Sequence, residues 1–183
     1  MAYGINESIA FEPIGIAVLT VSDTRTEEDD TSGGLLRERI ESAGHRVAAK
    51  AIVPDDAERI AGMVRDWAED DEVAAIITTG GTGLTGRDVT VEAVRPLFAK
   101  EIDGFSVIFH QVSFESVGLS TLQSRACAGI VRKGDGSGGT FVFCLPGSTG
   151  ACRDGWDKVI VAQLDSRHRP CNLVDILPRL GER

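Results

Sequence analysis

The strongest constraint on the fold is an alternation of short apolar runs with amphipathic segments in the first half of the chain. The β-branched apolar runs have the composition of strands buried on both faces, and they lie at residues 14–20, 47–53 and 73–79. Segments with apolar residues at helical spacing follow them, at 34–44, 54–70 and 91–99. Such alternation predicts a parallel sheet with right-handed crossovers and helices on both faces.

The second half of the chain is less regular. Residues 104–117 have the apolar spacing of a helix, and residues 121–131 fit a short helix followed by a strand. The glycine-rich run at 134–139 predicts a solvent-exposed turn that leads into a strand at 140–145, which together form a β-hairpin. A last helix is predicted at 151–165, and the tail from Ser166 has no clear pattern.

The expected fold is therefore a three-layer α/β/α sandwich with a mostly parallel sheet and a small β-hairpin. Without repeats or an internal linker, we expect a single domain over residues 1–183, with a core at about 14–172. The chain has 28 acidic and 19 basic residues, and its net charge of -9 repels both nucleic acid and an anionic membrane. An anionic ligand must therefore be bound by local groups.

The cellular location of the protein and the state of its cysteines are predicted from motifs that the sequence lacks. The first residues contain neither a basic nor an apolar leader segment, and no apolar stretch is long enough to cross a bilayer. We therefore expect a cytoplasmic protein. The cysteines form no CxxC pair and have no zinc-site spacing, so buried thiols are predicted at Cys127, Cys144, Cys152 and Cys171.

The loops that follow the parallel strands are the predicted ligand site. The carboxyl ends of parallel strands meet at one edge of a sheet, where ligands of open α/β folds usually bind. Each loop precedes a helix, whose free N–H groups can accept an anion. The segments selected in this way are Ser22-Asp23, Pro54 to Asp56, Gly80 to Asp88 and Pro146 to Ser148.

The loop TTGGTGLTGRD is the most informative of these segments. Its glycines allow the backbone to approach a ligand closely, but it matches neither a P-loop nor the GxGxxG dinucleotide motif. A tight strand-to-helix turn is the alternative, and Arg87 with Asp88 favours a functional role. Two carboxylates have a structural alternative as well, since Asp55 could cap a helix with Glu58 at capping-box spacing, and Asp88 could cap the helix near Thr90.

Several longer motifs resemble the molybdopterin-binding MoaB/MogA family. TVSD, DxSG at 30–33, VPD at 53–55, TTGGTGxxxRDVT, SRACAGI and LPGS occur in the order seen in that family. The resemblance covers roughly residues 14–172. The segments STLQSRA, LPGSTGACR and QLDSRHRPCN are most similar to the molybdenum cofactor biosynthesis protein B branch.

The resemblance implies a molybdopterin-binding domain, usually a homotrimer or homohexamer, that serves other molybdenum cofactor enzymes. In active members it implies transfer of AMP from Mg-ATP to the terminal phosphate of molybdopterin. Two alternatives stay open. One is a binding or carrier protein of the same family without catalysis, and the other is an oligomeric scaffold whose glycine loop is structural.

The resemblance also implies site residues. The catalytic carboxylates are Asp55 and Asp88, of which one would hold Mg²⁺ and the other the pterin, in an order left open. Molybdopterin contacts are implied at Gly80, Gly81, Thr82, Gly83, Ser124, Arg125, Pro146, Gly147 and Ser148. Nucleotide contacts are implied at Ser22, Asp23, Ser32 and Gly33. Either Arg87 or Arg125 would bring a positive charge to the transition state.

Two positions depart from relatives of the family. Some relatives have a carboxylate in the segment that is GFSV at 104–107 here, and others have Asn at the position of Cys144.

Overall fold

A six-stranded sheet forms the centre of the fold in the computed structural model, which describes residues 3–182. In spatial order its strands are β3 (Arg46–Val53), β2 (Gly15–Val21), β4 (Ala75–Thr79), β7 (Gly139–Leu145), β6 (Cys127–Arg132) and β5 (Lys100–Glu101). The first four are parallel to one another, whereas β6 and β5 are antiparallel to their neighbours. A separate antiparallel pair joins β1 (Gly4–Ile5) to β8 (His168–Arg169).

Helices cover both faces of this sheet. The α-helices are α1 (Thr31–Ser42), α2 (Ala57–Glu69), α3 (Thr90–Val94), α4 (Asp103–Val117), α5 (Thr149–Gly155) and α6 (Val161–Leu164). A π-helical turn, Trp156–Ile160, connects α5 to α6. Short 3-10 helices occupy Arg95–Leu97, Gly118–Gln123 and Val174–Arg179.

The two faces of the sheet carry separate hydrophobic cores. Leu36 of α1, Phe109 of α4 and Trp156 are buried on one face, and Ile60 of α2 with Val94 of α3 are buried on the other. The central strands β2 and β4 are buried along their whole length, as expected for strands covered by helices on both sides. The predicted three-layer α/β/α sandwich with a mostly parallel sheet is confirmed, and so is the β6–β7 hairpin.

Several predicted boundaries were wrong. Helix α1 begins at Thr31 instead of 34, because the carboxylate of Asp30 caps it by accepting from the Gly33 N–H at 2.9 Å. The predicted helix at 91–99 begins at Thr90 and its α-helical part ends at Val94, because Pro96 has no N–H to continue the ladder. The final helix begins at Thr149.

Other features of the fold lie outside what the sequence predicted. The short edge strand β5 and the pairing of β1 with β8 were not predicted. Cys127, Cys144 and Cys152 are buried free thiols as expected, but Cys171 is exposed, which corrects the prediction for that residue. None of the helices within residues 3–182 has the length and hydropathy needed to span a membrane.

Asp30 joins three elements of the fold through one buried carboxylate. Its Oδ2 accepts a hydrogen bond from Thr20 Oγ1 of β2 at 3.0 Å and lies 2.7 Å from Lys50 Nζ of β3, while Oδ1 caps α1. Burial raises the pKa of Asp30, but its bonds to Lys50, Gly33 and Thr20 outweigh burial and lower the pKa overall. The side chain of Asp30 is fully inaccessible to solvent.

We predict that Asp30→Asn destabilises the protein by about 3 kcal/mol, because it leaves Lys50 partly buried without a counter-charge. Since the native pKa of Asp30 is lowered, its stabilising contribution is present above the pKa of an unfolded Asp and is lost as the pH falls toward the native pKa. Urea denaturation at several pH values measures both effects. Asp66→Asn, on the exposed face of α2, is the matched control and should change stability by less than about 0.5 kcal/mol. Equal stability of the two variants would contradict the prediction.

Candidate functional site

The carboxyl ends of β2, β3, β4 and β7 meet at one edge of the sheet, and the loops that leave them surround a cavity of about 410 Å³. This volume is within the range of small-molecule sites. The cavity is lined by Thr20, Val21, Ser22, Arg25, Ser32, Asp55, Thr79, Gly80, Gly81, Thr82, Gly83, Arg87, Asp88, Ser124, Pro146 and Gly147. The four predicted strand-end segments therefore meet at one site.

Most of the predicted site residues line this cavity, and four do not. The four that are not among its lining residues are Asp23, Gly33, Arg125 and Ser148. Gly33 is buried in the first turn of α1, and the Ser148 hydroxyl caps α5 by accepting from the Ala151 N–H at 3.2 Å. The lining also includes Thr20, Val21, Arg25 and Thr79, which were not predicted from the sequence. For Thr20 and Thr79 the available signal was a polar residue at the end of an otherwise apolar strand.

The glycine loop is held in a conformation that excludes side chains. Gly80 has a φ of +105°, and a Cβ on it would lie 2.2 Å from the Val21 carbonyl oxygen. Gly81 has a φ of +62°, and a Cβ there would lie 2.8 Å from Asp55 Oδ1. The Thr90 hydroxyl donates to the Gly80 carbonyl at 2.8 Å and fixes the start of the loop to α3. Glycine is required here because the loop backbone packs directly on β2 and on the Asp55 side chain.

Arg125 holds the part of the same loop from Thr82 to Asp88 through hydrogen bonds to its backbone. Its Nε donates to the carbonyl oxygens of Gly83 at 2.9 Å and Thr82 at 3.2 Å, and its Nη2 donates to the Asp88 carbonyl at 3.0 Å. The guanidinium also pairs with Glu92 of α3, which is the main cause of the raised pKa of Arg125. The donors of Arg125 are thus directed at the loop backbone and at Glu92, not into the cavity.

A salt bridge between Asp23 and Arg87 connects the loop after β2 to the glycine loop. Arg87 Nε donates to Asp23 Oδ2 at 3.0 Å, and Arg87 Nη2 lies 2.7 Å from Asp23 Oδ1. The Asp55 N–H donates to Asp23 Oδ1 at 3.2 Å. The hydrogen bond from Arg87 lowers the pKa of Asp23, so this carboxylate is ionised and linked to two other loops.

Asp55 and Asp88 both face the cavity, and their pKa values are shifted in opposite directions. No side chain in the described part of the protein donates a hydrogen bond to the Asp55 carboxylate, and burial followed by the charge of Asp23 raises its pKa. Asp88 Oδ2 accepts from the Thr85 hydroxyl at 2.6 Å and from the Thr85 N–H at 2.9 Å, and these bonds lower the pKa of Asp88. The Asp55 carboxylate is therefore the less compensated of the two.

Neither carboxylate caps a helix, so both structural alternatives from the sequence were wrong. Helix α2 is capped by Asp56, whose Oδ1 accepts from the Arg59 N–H at 2.9 Å. The N-cap of α3 is Val89, which has no side-chain cap. The side chains of Asp55 and Asp88 are left to face the cavity.

Residues 17–166 match the family model described as "Probable molybdopterin binding domain". The chain belongs to the molybdopterin-binding MoaB/MogA family of molybdenum cofactor biosynthesis proteins. It is 50% identical over 165 residues to molybdenum cofactor biosynthesis protein B of Escherichia coli K12, with 90% of this chain and 94% of that protein covered.

Two solved structures support the family assignment. A crystal structure of a molybdenum cofactor biosynthesis protein B superposes with a TM-score of 0.82 and 39% identity, over 96% of this chain and 100% of that one. The tungsten cofactor synthesizing protein MoaB from Pyrococcus furiosus superposes with a TM-score of 0.78 and 34% identity, over 94% of this chain and 100% of that one. The resemblance inferred from the sequence motifs is confirmed.

We predict that Gly80→Ala destabilises the protein by about 2–3 kcal/mol, because its Cβ would collide with the Val21 carbonyl in a left-handed backbone conformation. Gly86→Ala is the matched control in the same loop. Its Cβ would meet no atom within 4 Å, so its stability should stay within about 0.5 kcal/mol of the parent protein. Thermal unfolding of the two variants measures the difference, and similar melting temperatures would show that the loop is not held as described.

Proposed function

We propose that the protein binds molybdopterin in this cavity and transfers AMP to it from Mg-ATP. In the proposed reaction, a terminal phosphate oxygen of molybdopterin forms a bond to the α-phosphorus of ATP. The bond from that phosphorus to the oxygen bridging the β-phosphate breaks, and pyrophosphate leaves. The observation that carries this proposal is that four loops bring Asp55, Asp88 and the glycine loop to a single cavity.

The hydrogen bonds of the two carboxylates support different roles for them. A pterin presents an amino group and an adjacent ring N–H, which one well-oriented carboxylate can accept together. The bonds from Thr85 fix the orientation of Asp88, so we assign the pterin to Asp88. Asp55 lacks a side-chain donor and carries an under-compensated charge, so we assign the metal side to Asp55.

The residues present fit a magnesium ion that arrives with the nucleotide. Within residues 3–182 no group of three His, Cys, Asp or Glu side chains could hold a metal ion by itself. Mg²⁺ at nucleotide sites needs only one or two carboxylates, with phosphate oxygens and water as its other ligands. Asp55, beside the like charge of Asp23, can supply that contact. When bound, Mg²⁺ would offset the negative charge of the phosphates.

The rest of the binding site follows from the glycine loop and the neighbouring turns. We propose that Gly80 to Gly83, Ser124 and the Pro146-Gly147 turn contact molybdopterin, and that Ser22 and Ser32 face the nucleotide. The four predicted residues that do not line the cavity act indirectly in this proposal. Arg125 holds the glycine loop, Asp23 holds Arg87 and the Asp55 backbone, and Gly33 with Ser148 shapes the starts of α1 and α5.

We also propose a single molybdopterin-binding domain that assembles as a homotrimer or homohexamer in the cytoplasm. The support for assembly is a row of exposed apolar side chains on α4 and the 3-10 turn after it: Val107, Ile108, Phe114, Val117, Leu119 and Leu122. Large exposed apolar side chains concentrated in one segment of the chain are typical of protein interfaces. Other molybdenum cofactor enzymes would supply the pterin and consume the product.

One observation favours a carrier without catalysis as the second candidate. Two arginines that could neutralise charge in a transition state are already engaged, Arg87 with Asp23 and Arg125 with Glu92. A protein that only binds and delivers molybdopterin would not need a free positive charge at the reacting phosphate.

Incubation of the purified protein with molybdopterin, Mg²⁺ and ATP separates these candidates, with adenylylated molybdopterin and pyrophosphate as the products measured. We predict that Asp55→Asn lowers AMP transfer by about 100-fold or more. It should keep pterin binding and raise the melting temperature by roughly 1–3 °C, because it removes a charge that burial and Asp23 disfavour.

The control variant is Asp56→Asn, since Asn caps a helix as well as Asp does and leaves the cavity unchanged. Asp56→Asn should retain both activity and stability. Pterin binding by the parent protein without AMP transfer would leave only the carrier function, and no pterin binding would reject both candidates in favour of an oligomeric scaffold.

The raised pKa of Asp55 predicts the acid side of the pH profile. If ionised Asp55 is required, kcat/KM should fall on acidification at a pH above about 4, the range of an unperturbed Asp. Asp23→Asn removes the like charge beside Asp55, so it should move this fall to lower pH. If Asp23→Asn left the pH of the acidic fall in kcat/KM unchanged, the assignment of that fall to Asp55 would be contradicted.

A further inference from the structure

Two carboxylates face the cavity, and both ligands of the proposed function carry phosphate groups, so an unpaired positive charge at the cavity would favour their binding. The whole chain has a net charge of -9, so no general positive field attracts phosphate. Three arginines lie at or near the cavity. Arg87 is paired with Asp23 and Arg125 with Glu92, which leaves Arg25.

Arg25 is an exposed residue that lines the cavity and, within residues 3–182, forms no ion pair with a carboxylate. Its backbone N–H donates to the Ser22 hydroxyl at 3.2 Å, which fixes the turn after β2. One guanidinium nitrogen, Nη1, donates to the Asp29 carbonyl oxygen. That contact is to a neutral carbonyl, so the positive charge of Arg25 stays available to a ligand.

The position of Arg25 relative to α1 strengthens this assignment. The Asp29 carbonyl oxygen, which accepts the hydrogen bond from Arg25, also accepts one from the N–H of Thr31 at 2.8 Å. Thr31 is the first residue of α1. The guanidinium therefore lies beside the N-terminus of a 12-residue helix, where anions are favoured.

Ser32 gives an independent indication that a ligand binds at this point. It lies in the first turn of α1, is only 4% exposed, and lines the cavity. Its hydroxyl has no hydrogen-bond partner among the residues that the structure describes. A hydroxyl at a cavity wall that has no protein partner can form a hydrogen bond to a ligand bound there.

We infer that Arg25, together with the Ser32 hydroxyl, binds a phosphoryl group at the α1 end of the cavity. The inference rests on the proposed function and adds the positive charge that the paired arginines cannot supply. The planar guanidinium can donate two parallel hydrogen bonds to phosphate oxygens, and Ser32 can donate a third. Both ATP and the terminal phosphate of molybdopterin carry this chemistry.

Isothermal titration with each ligand tests the inference and separates the two sources. Arg25→Gln should weaken the binding of Mg-ATP, or of molybdopterin, by about tenfold or more, since it removes hydrogen bonds to a charged group. Arg25→Lys should recover part of the loss, because it restores the charge without the fork. Ser32→Ala should weaken the same ligand by a smaller factor.

Two controls isolate the phosphate contact. Arg37→Gln makes the same charge change on the exposed face of α1 outside the cavity, and it should leave the affinity for both ligands within about twofold. Adenosine, which lacks phosphate, should bind the parent protein and Arg25→Gln equally. The melting temperature of Arg25→Gln should match that of the parent protein because Arg25 is exposed.

The ligand whose affinity falls identifies the phosphoryl group that Arg25 binds. Unchanged affinities for both ligands, or an equal loss for adenosine, would overturn the inference. Because the measurement is binding, a parent protein that binds both ligands but transfers no AMP would reject the proposed catalysis and leave the role of Arg25 supported. A parent protein that binds neither ligand would overturn both.

Discussion

The common direction of four parallel strands is the constraint on which the site depends. Strands β2, β3, β4 and β7 run the same way, so the loops at their carboxyl ends reach one edge of the sheet. The buried carboxylate of Asp30 reinforces this order, because it joins β2, β3 and the start of α1 within hydrogen-bond distance. The cavity exists because the sheet determines where its loops end, and the loops then add the chemistry.

The sequence predicts this arrangement well, because its causes are local. Buried parallel strands need continuous β-branched runs, and a loop that packs on a neighbouring strand needs glycine, so both features are visible in the residues. Boundaries were harder to predict because neighbouring residues compete for the same role. Asp55 and Asp56 are adjacent and equally suited to cap α2, and only the backbone conformation, extended at Asp56, selects the latter.

The arginines could not be assigned from sequence, because their partners are distant in the chain. Arg125 reaches back to Gly83, Asp88 and Glu92, and Arg87 reaches back to Asp23. A motif shows that an arginine is present near a loop, but it does not show whether the charge faces the ligand or the loop backbone. Arg25 was not predicted as a site residue for a different reason. It lies in a polar, acidic stretch that has no helical or strand pattern.

The paired arginines and the unpaired carboxylate have a common physical explanation. Glycine leaves the backbone of a loop with more freedom in the unfolded chain, so contacts are needed to hold the loop in one shape. Arg125 and Asp23 provide such contacts through charge-assisted bonds, and neither residue lines the cavity. The groups that face the cavity are correspondingly under-satisfied: Asp55 has a raised pKa, and the Ser32 hydroxyl has no partner in the described chain. The groups that support the loops are thus satisfied within the folded chain, whereas polar groups at the cavity are left without full compensation. Such a site is less stable empty than it would be with neutral residues, a cost that natural proteins commonly carry at functional sites.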